Sequence, residues 1–134
     1  MEDGEMEDGK GHRMTPGLLL ARLEKFALDV LGTTRPLCRA VETTDMARQL
    51  RRAGTGAYMN HGAASVARSH ADFTSKLGVA FEEADESTRW LALLRKAGYL
   101  SGSPTEVLLN EAGELRAILS AAHLTAKRNR KKDD

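Results

Sequence analysis

Residues 46–98 read MARQLRRAGTGAYMNHGAASVARSHADFTSKLGVAFEEADESTRWLALLRKAG, and the spacing within this stretch decides the fold. Small or apolar residues recur at Met46, Leu50, Ala53, Ala57, Asn60, Ala64 and Ala67. After a break over residues 68–73 they recur at Phe73, Leu77, Ala80, Ala84, Ser87, Leu91 and Leu94. Both series step by four and three, the seam spacing of helices packed at a shallow angle. The stretch therefore predicts a helical hairpin. One helix has a mostly small face, and the other carries Phe73, Phe81 and Trp90.

Start and stop signals extend the pattern outward. Ser69 followed by Asp72 resembles a capping box at the start of the second hairpin helix, and Gly98 supplies a left-handed stop. Upstream, Thr15-Pro16 opens a helix whose stripe is Leu19, Leu23, Phe26 and Val30, ended by Gly32 and the approach to Pro36. Thr43 or Thr44 can cap the helix that follows, with Asp45 complementing its dipole. Downstream, Ser103-Pro104-Thr105-Glu106 combines a cap, a first-turn proline and a capping acid, and leads into Leu108, Ala112, Leu115, Leu119 and Ala122. Four helices with short connections make an all-α, antiparallel up-and-down four-helix bundle the expected architecture. Gly54 and Gly56 weaken the first hairpin helix by roughly 1 kcal/mol each relative to Ala. They imply close approach by bulky neighbours, with Phe73, Phe81 and Trp90 the expected ones.

Composition bounds the rest. The chain has 134 residues, 41% hydrophobic and 29% charged, enough for one domain with a single modest core. No apolar run approaches the roughly 20 residues that cross a bilayer, and the acidic start is no signal peptide. One cysteine, Cys38, rules out an internal disulfide and fits a reducing compartment, so a cytoplasmic location is expected. The net charge of +1 conceals polarity: five acids and no base within residues 1–9, against Lys127, Arg128, Arg130, Lys131 and Lys132 near the other end. Residues 1–14 are expected as a disordered acidic tail, 15–127 as the bundle and 128–134 as a disordered charged tail.

Catalytic constellations are missing from the pattern. Carboxylate-bridged metal pairs in bundles need Glu-x-x-His, yet His12, His61, His70 and His123 follow Gly9, Tyr58, Ala67 and Ser120 at that spacing. No cofactor or metal is expected. Cys38 has no definable histidine partner despite neighbouring Arg39. Glu82, Glu83, Asp85 and Glu86 form an acidic cluster, but neighbours on one helix point to different sides. Asn60, inside the small-residue seam, is expected to fix register. The one binding surface is basic: Arg48 with Arg51 or Arg52 lies at helical-neighbour spacing, Arg68 further along, and Lys127, Arg128 and Arg130 in the tail. Such cations neutralise phosphates, although no interleaved aromatics offer base stacking.

The order of these residues carries a resemblance. Arg48-Gln49-Leu50-Arg51-Arg52-Ala53-Gly54-Thr55, Asn60, Ala63-Ala64 and Ala67-Arg68-Ser69-His70-Ala71-Asp72-Phe73 are followed by Lys76-Leu77, Ala80, Glu83-Ala84-Asp85-Glu86-Ser87, Trp90-Leu91, Leu93-Leu94 and Ala97-Gly98. This set resembles the bacterial four-helix bundle family also called 23S rRNA intervening-sequence proteins, most clearly over residues 46–100. The resemblance implies a four-helix bundle without enzymatic activity that assembles as a ring-like homopentamer. It also implies contact with RNA or single-stranded DNA, or with a reverse transcriptase, as in relatives that serve diversity-generating retroelements. It marks Asn60, Asp72, Phe73 and Trp90 as motif positions. The chain departs from the family's Gly-Ala-Asn-Tyr at Tyr58-Met59-Asn60-His61, carries Ala63 where an acid is usual, and has Ser65 and Val66 where bases are frequent. A protein-interaction module that binds no nucleic acid is the alternative reading.

Overall fold

Two of the four helices begin where a side chain satisfies an open backbone donor of the first turn. The structure, a computed structural model, describes residues 6–7 and 13–133, with side chains over 13–129. Helix α1 spans Pro16–Thr34, α2 Thr44–Ser65, α3 His70–Lys96 and α4 Ser103–Asp133. Thr15 Oγ1 accepts the Leu18 amide at 3.1 Å, and Ser69 Oγ accepts the Asp72 amide at 3.1 Å. The Asp72 carboxylate reaches back to the Arg68 amide, one residue before the cap, at 3.4 Å. Thr43 precedes α2 without a side-chain cap, because its hydroxyl donates to the Leu37 carbonyl at 2.7 Å. Gly98 (φ 85°) ends α3, with the Tyr99 amide returning to the Leu94 carbonyl at 2.9 Å.

The helices pack in chain order, α1 on α2, α2 on α3 and α3 on α4, with a lighter α4–α1 seam closing the antiparallel up-and-down bundle. Leu23, Phe26, Val30, Leu50, Leu91, Leu94, Leu115 and Leu119 are fully buried at its centre. The expected α3 stripe is buried from Leu77 through Ala80, Ala84, Ser87, Leu91 and Leu94, whereas Phe73 is half-buried in a smaller cluster with Ala64, Leu77 and Ala126. Trp90 is half-buried against the main core, and its Nε1–H points to Glu86 at 3.3 Å.

Three expectations need correction. The α2 face is rotated slightly from the expected seam: Ala47 and His61 are buried, while Asn60 is half-buried and donates to the Gly56 carbonyl of its own helix at 2.9 Å. The Asn60 side-chain amide thus bonds within its own helix, and no bond from it to a neighbouring helix is present among the described residues. The partners of the α2 glycines are not aromatic. A Cβ on Gly54 would stand 3.1 Å from Val30 of α1, and one on Gly56 would stand 3.2 Å from the Glu83 carboxyl of α3. The expected tails also differ. Arg13–Met14 (β2) pairs antiparallel with Met6–Glu7 (β1), and Met14 is buried. At the other end α4 continues through Asp133, since no Gly or Pro interrupts its last turns and its terminal Lys and Arg suit a helix C-terminus. The rest of the expected acidic tail lies outside the described residues.

Candidate functional site

The basic residues divide between the two ends of the bundle. Arg48, Arg51 and Arg52 sit on the first turns of α2, roughly 25–30 Å along the helix from Arg68. Arg51 is turned inward. Its Nη1 donates to the Leu31 carbonyl at 3.0 Å and to Thr34 Oγ1 at 3.1 Å, closing the C-terminus of α1. The free carbonyls and dipole of a helix end favour a cation there, so this guanidinium is committed to the fold. Arg48 is exposed and loosely paired with Asp45 at 4.0 Å, and exposed Arg52 donates to Gln49 Oε1 at 3.0 Å. The expected three-arginine patch is therefore two exposed residues with local partners.

At the opposite end the chain brings separate cations together. His70 Nε2 meets the Ala126 carbonyl at 2.8 Å, which sets the start of α3 beside the last turns of α4. Exposed Arg68 stands just before that contact in sequence, with Lys127 and Arg128 just after it. None of the three makes an ion pair with the described residues. Arg130 follows on the same helix, and its side chain lies outside the described residues.

The acidic cluster disperses as its spacing requires. Asp85 Oδ1 accepts Arg116 Nε of α4 at 2.6 Å and Oδ2 accepts Arg89 Nε at 3.1 Å, and the Arg116 contact chiefly holds this carboxyl below its usual range. Arg116 also lies over the Phe81 ring, 5.8 Å from its centroid. Glu83 is half-buried against α2, with one carboxylate oxygen lacking a hydrogen-bond partner. Burial first, then the neighbouring Glu86 charge, pushes Glu83 upward, with Arg52 opposing. Glu86 meets Trp90, and Glu82 is exposed. Among the described residues no group of three or more His, Cys, Asp or Glu side chains is placed to hold a metal ion. Cys38 is half-exposed in a 3-10 turn over Pro36–Arg39, and its carbonyl accepts Thr44 Oγ1 at 2.9 Å.

One residue escaped the sequence reading. His61 is buried, 5% exposed, and its Nδ1 has no hydrogen-bond partner. Burial lowers its pKa below the ordinary histidine value. The signal available was its position four residues after Ala57, on the buried face of a slightly rotated α2.

No described helix is long and apolar enough to cross a membrane. None of the curated proteins compared matches the chain. Among solved structures, a protein of unknown function from the S23 ribosomal protein family of Bacteroides thetaiotaomicron VPI-5482 superposes with a TM-score of 0.75 at 28% identity. The alignment covers 82% of this chain and 98% of that one. The sequence matches the family described as 23S rRNA-intervening sequence protein over residues 20–121. Fold, core spacing and this match agree, and the chain belongs to the 23S rRNA-intervening sequence protein family.

Proposed function

We propose that the protein is a non-enzymatic, oligomeric scaffold that binds nucleic acid through the bundle end carrying Arg68, Lys127 and Arg128. The observation that carries this reading is the His70–Ala126 contact, which gathers these exposed cations from two segments distant in sequence. Cations with no carboxylate partner among the described residues are available for phosphates. The family's description as 23S rRNA-intervening sequence protein favours RNA over DNA. Mobility shifts with a structured RNA across a salt series test the reading. Replacing Arg68, Lys127 and Arg128 with alanine is expected to weaken binding at every salt concentration. It should also flatten the slope of log affinity against log salt by about 0.7–0.9 for each phosphate left without its cation. An unchanged slope with unchanged affinity overturns it.

A specific surface favours the second reading, a module that binds only protein. Met59 and Val66 are 64% and 80% exposed, and their seven-residue spacing puts them on one face at the end of α2. Assembly through such a face covers apolar side chains otherwise left in water. Light scattering at micromolar concentration distinguishes the outcomes. Replacing Met59 and Val66 with serine is expected to lower the oligomer mass, and the wild type running as a monomer overturns the oligomeric part of the proposal.

A further inference from the structure

Where the last turns of α2 and α4 meet the start of α3, the helices are packed by a cluster distinct from the main core. Its buried members are Ala64, Leu77 and Ala126, with Phe73 and Ala122 alongside. Alanines bring little apolar area to hold helices together. Across the α3–α4 seam His70 Nε2 donates to the Ala126 carbonyl at 2.8 Å. His61 stands where this cluster meets the main core, one turn after fully buried Ala57 and three residues before Ala64. It is 95% shielded from solvent, and its Nδ1 has no hydrogen-bond partner.

We infer that His61 is an acid-sensitive latch: a proton on its ring opens this end of the bundle while the main core stays closed. A neutral, buried imidazole forgoes one acceptor bond. A protonated one adds a charge and turns Nδ1 into a donor with no acceptor. The cavity of about 50 Å³ that His61 borders is lined from α1, α3 and α4 by uncharged residues and His70, so no carboxylate offsets the charge. A charge on His70 would repel one on His61, and the His70 Nε2–H bond to Ala126 survives in either state. His123 lies outside this lining, on α4 against Gly78 of α3, with Lys127 and Glu82 acting on it. Burial alone lowers the His61 pKa, so acid favours the form in which the ring meets water. The small cluster around Ala64 and Ala126 opens at less cost than the leucine-rich core.

The test is amide hydrogen exchange of the full chain at about pH 7 and about pH 5.5, corrected for the intrinsic rate, in urea below the unfolding transition. Protection at Ala64, Leu77 and Ala126 is expected to fall about fivefold to tenfold on acidification. That is the effect of one proton taken up on opening by a histidine of ordinary value, about 6.5. Exchange at these amides should be nearly independent of urea, the mark of local opening. Exchange at Leu50, Leu91 and Leu115 should accelerate steeply with urea, because those amides wait for global unfolding. His61→Leu should cut the acid loss at the first three to about twofold. A urea dependence shared by both sets overturns the local opening, and an undiminished acid loss in His61→Leu overturns His61 as its trigger. Should that variant fail to fold, the wild-type His61 ring nitrogens decide. A ring titrating at the ordinary histidine value with Ala64 and Ala126 still protected overturns the latch, and one titrating below that value upholds it.

Discussion

At the scale of single residues, the fold rests on side chains whose roles are opposite to what their type suggests. Arg51 has the look of a phosphate ligand and acts as the C-terminal clasp of α1. Arg51→Ala is expected to lower stability by about 1.5–3 kcal/mol, the scale of hydrogen bonds to a charged donor, in urea unfolding. Under the proposed RNA-binding function, affinity should stay within about twofold of wild type, whereas a phosphate-binding Arg51 would show the reverse pattern. The glycines separate in the same way. Gly54→Ala sets a methyl 3.1 Å from Val30, a fully buried, β-branched residue held in one rotamer within α1. The gain in helix propensity is then outweighed by overpacking, and a net loss of about 1–2 kcal/mol is expected. A methyl on Gly113 in α4 would meet nothing within 4 Å, so Gly113→Ala should instead stabilise by about 0.5–1 kcal/mol. Thermal melts of the two variants, moving in opposite directions, check the contrast.

At the scale of elements, the helices and their boundaries were legible because they depend on local chemistry. Thr15, Ser69, Gly98 and the Ser103-Pro104 start act within one turn of where they stand. The α3 stripe was legible for the same reason: seven residues at steps of four and three fix one face. The α2 face was less so, since its positions are small almost all round. With Ala, Gly and Thr on several sides, spacing alone does not choose between Asn60 and His61, and contact with α1 and α3 makes the choice. The partners of Gly54 and Gly56 were hidden for a related reason, because approach between helices is a tertiary property. The site residues follow this division. Arg48, Arg51 and Arg52 share a helix by spacing, but only the packed bundle turns Arg51 inward and sets His70, just after Arg68, against Ala126, just before Lys127. The α1–α4 seam is the lightest of the four and is tied by Arg22, whose Nε meets Glu111 at 3.0 Å and whose Nη2 meets Glu114 at 3.2 Å. Arg22→Ala leaves two carboxylates three residues apart on α4 without this cation. Amide hydrogen exchange should quicken along α1 and the facing turns of α4 before it quickens in α2 and α3. Uniform acceleration across all four helices would contradict a local seam.

At the scale of the whole molecule, stability should depend on pH through two histidines. Burial holds both His61 and His123 below the ordinary histidine value, with Lys127 adding to the effect at His123. A lowered folded pKa means the unfolded chain takes up protons first on acidification. The associated stability is complete above about pH 6.5 and is lost as pH falls toward the folded values. Melting temperature is therefore expected to fall from about pH 7 to about pH 5, with His61→Leu showing a shallower fall. A His61→Leu profile parallel to wild type would remove His61 from the account. Asp85 adds a separate loss at lower pH, because Arg116 depresses its pKa and the stability it contributes disappears only on further acidification.

Met14 and Asn129 line the same cavity, so the chain enters and leaves the bundle at one end. Anything joined before residue 14 or after α4 emerges beside Arg68 and Lys127, while the turns at residues 35–43 and 97–102 occupy the far end. A purification tag or fluorescent protein at either terminus would crowd the cationic end. A label in the 97–102 turn leaves that end clear, which makes the turn the place from which to immobilise or image the protein.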